Sequence, residues 1–291
     1  MRNRFIISLL IPLFILLNIM SSCNKSTEAV IPAYIFIDTV GLSTDEYIQG
    51  AESQSITELW VYVDENPIGV FNKKELIPII PDDYSKPNIK IYAGIRSNGA
   101  KDNIEIYFLY KNIEFNEALT PGAIDTIAAI FKYDNFSKFV FIEGFEKGNI
   151  FNKVKTGNTK IQITEENAVY GKKCGLISLD AEHKSIEVTT KKDYFDLPTQ
   201  GNKVFFEIDY MCNTEFVIGI SGKDQFSNEY SQDLIIMKKK DNWNKLYLDL
   251  SYSIKKAELT SYRIYIKVIH PEDLDKSKVY IDNLKLVYLN R

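Results

Sequence analysis

Histidine is almost missing from this chain: 291 residues contain two, His183 and His270, both in polar, loop-like surroundings. That scarcity excludes a metal centre built on imidazole. Cysteine is nearly as rare. Three are present, Cys23, Cys174 and Cys212, and none belongs to a Cys-x-x-Cys pair. No Gly-x-Ser-x-Gly elbow and no phosphate-cradling glycine loop occurs. With no nucleophile, base or metal arranged for chemistry, the expectation is a non-catalytic protein. Strong charge of either sign is lacking too. Thirty-five cations against 39 carboxylates give -4, so there is no electrostatic footprint for nucleic acid. The densest basic stretch, "MKKKDNWNK" (237–245), reads as a solvated turn between strands.

A membrane-spanning run is also lacking. The longest apolar stretch, Phe5 to Met20, has 16 residues and is interrupted by Pro12. A transmembrane helix needs roughly 20. Arg2 and Arg4 precede the run and small residues follow it, the pattern of a secretory signal peptide. Its end, Met20-Ser21-Ser22-Cys23, resembles the bacterial lipobox. By that resemblance residues 1–22 are removed and Cys23 carries palmitate-type lipid, leaving residues 23–32 as an acylated tether. Two or three acyl chains anchor a protein without spanning the bilayer. No aspartate follows Cys23 directly, so the expected address is the outer membrane, with the leaflet left open. Cys174 and Cys212 would then lie in an oxidising compartment, where pairing and non-pairing are both open.

Beyond the tether, short β-branched and aromatic runs alternate with Gly, Pro, Asn and Asp clusters. Clear strands are "AYIFIDTV" (33–40), "ITELWVYVD" (56–64), "NIKIYAGI" (88–95), "IEIYFLY" (104–110) and "AIDTIAAIFKY" (123–133). A second series runs from "FVFIEGF" (139–145) to "KVYIDNLKLVYL" (278–289). Without long helical periodicity, this spacing predicts an all-β chain of two tandem β-sandwiches, 33–134 and 138–291. "VDENPIGVF" (63–71) predicts a hairpin within the first.

The first half is similar to small Ig-like or carboxypeptidase-regulatory-like modules, which usually act as spacers. In the second, "EGFE" (143–146), "GKKCGLISL" (171–179), "WNKLY" (243–247) and "YIDNL" (280–284) recur in the order found in galactose-binding-like jelly rolls of the carbohydrate-binding-module type. The whole arrangement resembles surface lipoproteins of Bacteroidota. The jelly-roll resemblance implies a structural Ca²⁺ held by Glu143 or Glu146 together with Asp282 and backbone carbonyls of the Gly171–Gly175 turn, hard oxygen ligands suited to that ion.

Strand alternation assigns faces. Val204, Phe206, Ile208 and Tyr210 share one face, leaving Phe205, Glu207 and Asp209 opposite. Leu246, Leu248 and Leu250 point inward, so Tyr247 and Asp249 point out. Arg263 and Tyr265 likewise alternate with buried Tyr262, Ile264 and Ile266. Rings flanked by charges suit a sugar, with Tyr247 and Tyr265 stacking and Arg263, Glu207 and Asp249 orienting it. A solvated face of cross-strand pairs is the alternative. The expected role is glycan binding by a lipid-anchored envelope protein. The other role left open is an assembly lipoprotein that binds a partner protein in an envelope complex. Mass spectrometry of the native protein should find acylated Cys23 as the first residue; a free thiol there, or an intact Met1 end, contradicts that expectation.

Overall fold

A computed structural model describes residues 30–290; Cys23 and the lipobox lie outside the described residues. No helix among the described residues is long and apolar enough to cross a membrane. The first sandwich comprises β1 (Ala33–Ser43), a single turn α1 (Glu46–Gln49), β2 (Glu58–Val63), β3 (Asn66–Asn72), β4 (Leu76–Ile79), β5 (Ile89–Arg96), β6 (Ile104–Ile106), β7 (Tyr110–Lys111), β8 (Ile113–Phe115) and β9 (Ile124–Tyr133). Its sheets run β4-β1-β9-β7 and β3-β2-β5-β6, with β8 also on β5. Alternate residues such as Ile35, Ile37, Leu59, Val61, Ile89 and Ile91 fill the space between them. The β2–β3 turn is Asp64-Glu65, both left-handed (φ 49° and 64°), as a two-residue hairpin of native twist requires. Pro67 is tolerated because β3 is an edge strand.

The second sandwich comprises β10 (Ser137–Glu143), β11 (Lys153–Thr156), β12 (Gln162–Thr164), β13 (Cys174–Leu179), β14 (Ser185–Thr189), β15 (Val204–Cys212), β16 (Phe216–Lys223), β17 (Glu229–Met237), β18 (Lys240–Asp249), α2 (Ser251–Ala257), β19 (Ser261–Ile269) and β20 (Ser277–Leu289). One sheet runs β12-β13-β20-β15-β18, with β10 also on β20; the other runs β11-β14-β19-β16-β17. Phe206, Ile208, Leu246 and Leu248 meet Ile218, Ile220, Ile264 and Ile266 in the core. Cys174 and Cys212 are both free. Cys212 belongs to this inner core, whereas Cys174 packs with Leu176 and Tyr280 on the opposite face of their sheet. A bridge would have to pass through the sheet.

From Ala33 onward the chain forms one compact unit, and the seam between the sandwiches explains why. The predicted ligand residues Phe205, Glu207, Asp209, Tyr247 and Asp249 do share the outer face of β15 and β18. That face is not open to ligand, because the first sandwich covers it. Phe205, Tyr247 and Val287 join the first sandwich's own core cluster. The predicted strand 104–110 breaks after Ile106, and Tyr107 turns into this seam, where it is fully buried. Tyr107 stacks edge-on against Phe205 (centroids 5.0 Å apart) and meets Tyr247 at 4.7 Å.

At the centre lies Glu207, with no exposed surface. Tyr107 donates to its Oε1 (2.6 Å), Tyr133 donates to the same oxygen (2.8 Å), and Lys245 Nζ is 2.9 Å from Oε2. Burial alone would raise the Glu207 pKa, but Lys245 and Lys285 outweigh it and hold the carboxyl below its ordinary value. Burial likewise acts to lower Lys245, which Asp209 and Glu207 hold above its usual range. Lys285 is pulled down by burial to about 7 and donates to Tyr133 Oη and the Ala51 carbonyl, both 3.2 Å away. Asp209 accepts from Ser53 (2.7 Å) and from Asn283 (2.9 Å). Tyr247 Oη accepts from the Ser55 amide at 3.0 Å, and its carbonyl accepts from Asn98 N at 2.8 Å. Outside this core, Asp249 pairs with Lys203 at 3.2 Å.

Breaking a buried ion pair strands its partner's charge, at a cost of about 3–5 kcal/mol. Glu207→Ala should therefore lower Tm by roughly 6–15 °C. A variant melting within about 2 °C of the parent would show that the network contributes little.

Candidate functional site

With the outer face of β15 and β18 covered, the second sandwich's other sheet presents the remaining face that carries predicted ligand residues. Arg263 and Tyr265 lie there on β19, and so does Lys267, while Ile264, Ile266 and Val268 point into the core. Register sets Ser221 of β16 opposite Arg263, and Gly219 opposite Tyr265. Thr189 of β14 flanks Tyr265 from the other side. Asp233 of β17 stands across Gly219. The glycine has a steric reason: a Cβ there would sit 2.1 Å from the Tyr265 ring, so only glycine lets that ring lie across the strand.

Tyr265 is the floor of this face and no stacking platform, for only 1 % of it is exposed. Its hydroxyl donates to Asp233, whose other oxygen takes Lys267 Nζ at 2.6 Å. Lys267 and then Tyr265 hold the Asp233 carboxyl below its ordinary range. Burial, followed by the bond to Asp233, pushes the Tyr265 hydroxyl well up, so it remains a donor at all ordinary pH. Arg263 donates through Nη2 to Asp193 at 2.8 Å. Ser221 Oγ is buried without a partner. The result is a polar floor under a rim of half-exposed Asp193, Asp233 and Lys267, groups that can accept from and donate to hydroxyls.

Two exposed rings near one end of β19 were not anticipated. Phe195 (60 % exposed) follows Tyr194, which bridges to Tyr262. Phe226 (76 % exposed) crowns the β16–β17 turn, where its amide donates to Asp224 at 2.8 Å. The signal for both is an aromatic residue inside a polar turn, "KKDYFD" and "KDQFSNE". Past the other end, Val217, Ile236, Ile269 and Pro271 line a cleft of about 490 Å³.

The predicted calcium ligands do come together, around a separate cleft of about 270 Å³. They do not form a metal cage. Among the described residues, no group of three or more His, Cys, Asp or Glu is placed to hold a metal ion. Glu143 spends both oxygens on backbone amides, Phe145 and Ile150, each at 2.6 Å. Glu146 Oε1 accepts from Lys172 and Lys173 (2.6 and 2.8 Å), which ties it to the Gly171 turn. Asp282 keeps one buried oxygen without a partner, and burial pushes its carboxyl up to about 8. As for the histidines, His270 Nδ1 meets Ser277 Oγ at 2.8 Å, but that hydroxyl is buried. His183 pairs with Asp180 in a turn (2.9 Å).

No protein-family model matches the chain, and no curated protein matches it. Among solved structures it is similar to the CBM22-1 xylan-binding domain from Paenibacillus barcinonensis Xyn10C, with TM-score 0.39 and 15 % identity over 54 % of this chain and 99 % of that one. The C-terminal family 22 carbohydrate binding module of Clostridium thermocellum Xyn10B matches with TM-score 0.37 and 14 % identity, over 52 % of this chain and 93 % of that one. A structure of carbohydrate-binding modules from the β-sandwich superfamily matches with TM-score 0.38 and 17 % identity, over 88 % and 98 %. No residue roles pass from these domains to this chain.

Asp282 makes stability depend on pH in a defined window. Its folded carboxyl titrates near 8 and its unfolded one near 3.8, so between those values the folded state holds the extra proton. Stability from this group is intact below about 4 and is lost as pH rises toward 8. Asp282→Asn should remove that downward slope in urea titrations across the window. An unchanged slope contradicts the assignment.

Proposed function

We propose that this chain is a non-catalytic, lipid-anchored envelope protein that holds a glycan on the outer face of its β19 sheet. The observation behind this reading is the polar floor and rim just described, left uncovered by the sandwich that occupies the opposite sheet. Tyr265 and Ser221 form the base, while Asp233, Lys267 and Asp193 with Arg263 supply planar or charged partners for sugar hydroxyls. Phe195 and Phe226 offer ring faces to the CH side of a sugar. The stacking role expected of Tyr247 and Tyr265 passes to these two exposed rings. The lipid anchor rests on the lipobox resemblance at Cys23, and the outer membrane is the proposed location.

Hydrogen bonds to charged groups contribute about 1.5–3 kcal/mol each. Asp233→Ala combined with Lys267→Ala should therefore weaken binding to a retained polysaccharide at least tenfold in affinity electrophoresis. Phe195→Ala with Phe226→Ala should do the same while leaving Tm unchanged. Full retention by both double variants, or no retention of the parent on any plant, host or bacterial polysaccharide, overturns the reading.

A further inference from the structure

The first sandwich leaves one sheet face unexplained. On β1, Ala33, Ile35 and Ile37 point into the core, so Tyr34 and Phe36 point away from it. An outward face of a two-layer sandwich is ordinarily polar, but here three of the four cross-strand neighbours are apolar. Tyr34 lies between Pro78 of β4 and Ile124 of β9, and Phe36 lies between Leu76 and Thr126. Leu76 is 44 % exposed and Ile124 58 %. Pro78, on the edge strand β4, lacks the amide that pairing with another strand would use. Lys73 and Lys74 are exposed on the turn that leads into Leu76.

The place of this face in the chain indicates its occupant. β1 begins at Ala33, ten residues beyond Cys23. Ten residues reach at most about 35 Å when fully extended. An acylated Cys23 therefore holds the start of this sheet within that distance of the bilayer. Tyrosine and phenylalanine suit the headgroup boundary, where apolar rings sit beside polar groups. Lysines at the margin suit anionic headgroups. We propose that the face formed by Tyr34, Phe36, Leu76, Pro78 and Ile124 docks on the lipid surface to which Cys23 tethers the protein. This rests on the lipid-anchor part of the proposed function and is independent of any glycan. A shallow contact of this kind would fix the orientation of the protein at the bilayer.

The test uses the full, acylated protein in vesicles of phosphatidylethanolamine and phosphatidylglycerol. A nitroxide is attached through Ile124→Cys and, as a water-exposed control, through Ser231→Cys. The native thiols do not compete, since both are buried and burial pushes the Cys174 thiol up to about 12. The label at 124 should be more accessible to oxygen than to a water-soluble nickel chelate, and the control should show the reverse. Equal nickel access at both positions, with acylated Cys23 confirmed by mass spectrometry, overturns docking and leaves the anchor standing. An unacylated Cys23 overturns both. Shielding at 124 in lipid-free protein, together with a doubled mass by light scattering, assigns the face to a second copy of the chain and also overturns the proposal.

Discussion

A single carboxylate withdrawn from water governs this molecule. Glu207 is fully buried, and a bare charge in that position would not be tolerated without partners. Lys245, beside it on the sheet, supplies one partner; Tyr107 and Tyr133 of the first sandwich supply the others. The second sandwich therefore depends on the first to keep this site hydrogen-bonded, and the two form one unit. The ring chain from Phe205 and Tyr247 through Tyr107, Tyr110 and Tyr133 to Phe139 fills the space around it. A detachable spacer would need a seam with few shared groups, which is the opposite of what is found.

That seam also decides where function can reside. It removes the outer face of β15 and β18 from solvent and leaves the face over β19 as the one on which the proposed glycan would sit. On that face, charge pairs and a flat tyrosine are held in register by β16 and β17, so the polar groups are positioned before any ligand arrives. Pre-positioning of this kind limits the ordering cost of binding. The exposed phenylalanines stand on turns, where loops commonly carry recognition residues on a rigid frame.

Much of this was legible in the sequence, and the limits have a physical cause. A period of two tells which side chains share a face. It correctly set Glu207 with Phe205 and Asp209, and Arg263 with Tyr265. It carries no information about what covers that face, so Tyr247 read as an open ring although it lies under another sandwich. Period also says nothing of sheet membership, and β19 pairs with β14 and β16 instead of joining β15 and β18. Short strands escaped notice where composition is weak: β4 contains Pro78, and β11 is rich in lysine. The acidic trio did converge, yet both Glu143 oxygens and one oxygen each of Glu146 and Asp282 are already engaged by backbone amides.

The claim that the two sandwiches are one cooperative unit sealed at Glu207 can be measured directly by native-state hydrogen exchange. The Ser55 and Asn98 amides, which bond Tyr247 across the seam, should open only with the free energy of global unfolding, matching amides of β16 and β19. Seam amides that exchange through a lower-energy opening, while both sandwich cores remain protected, would show two separable domains and contradict the account.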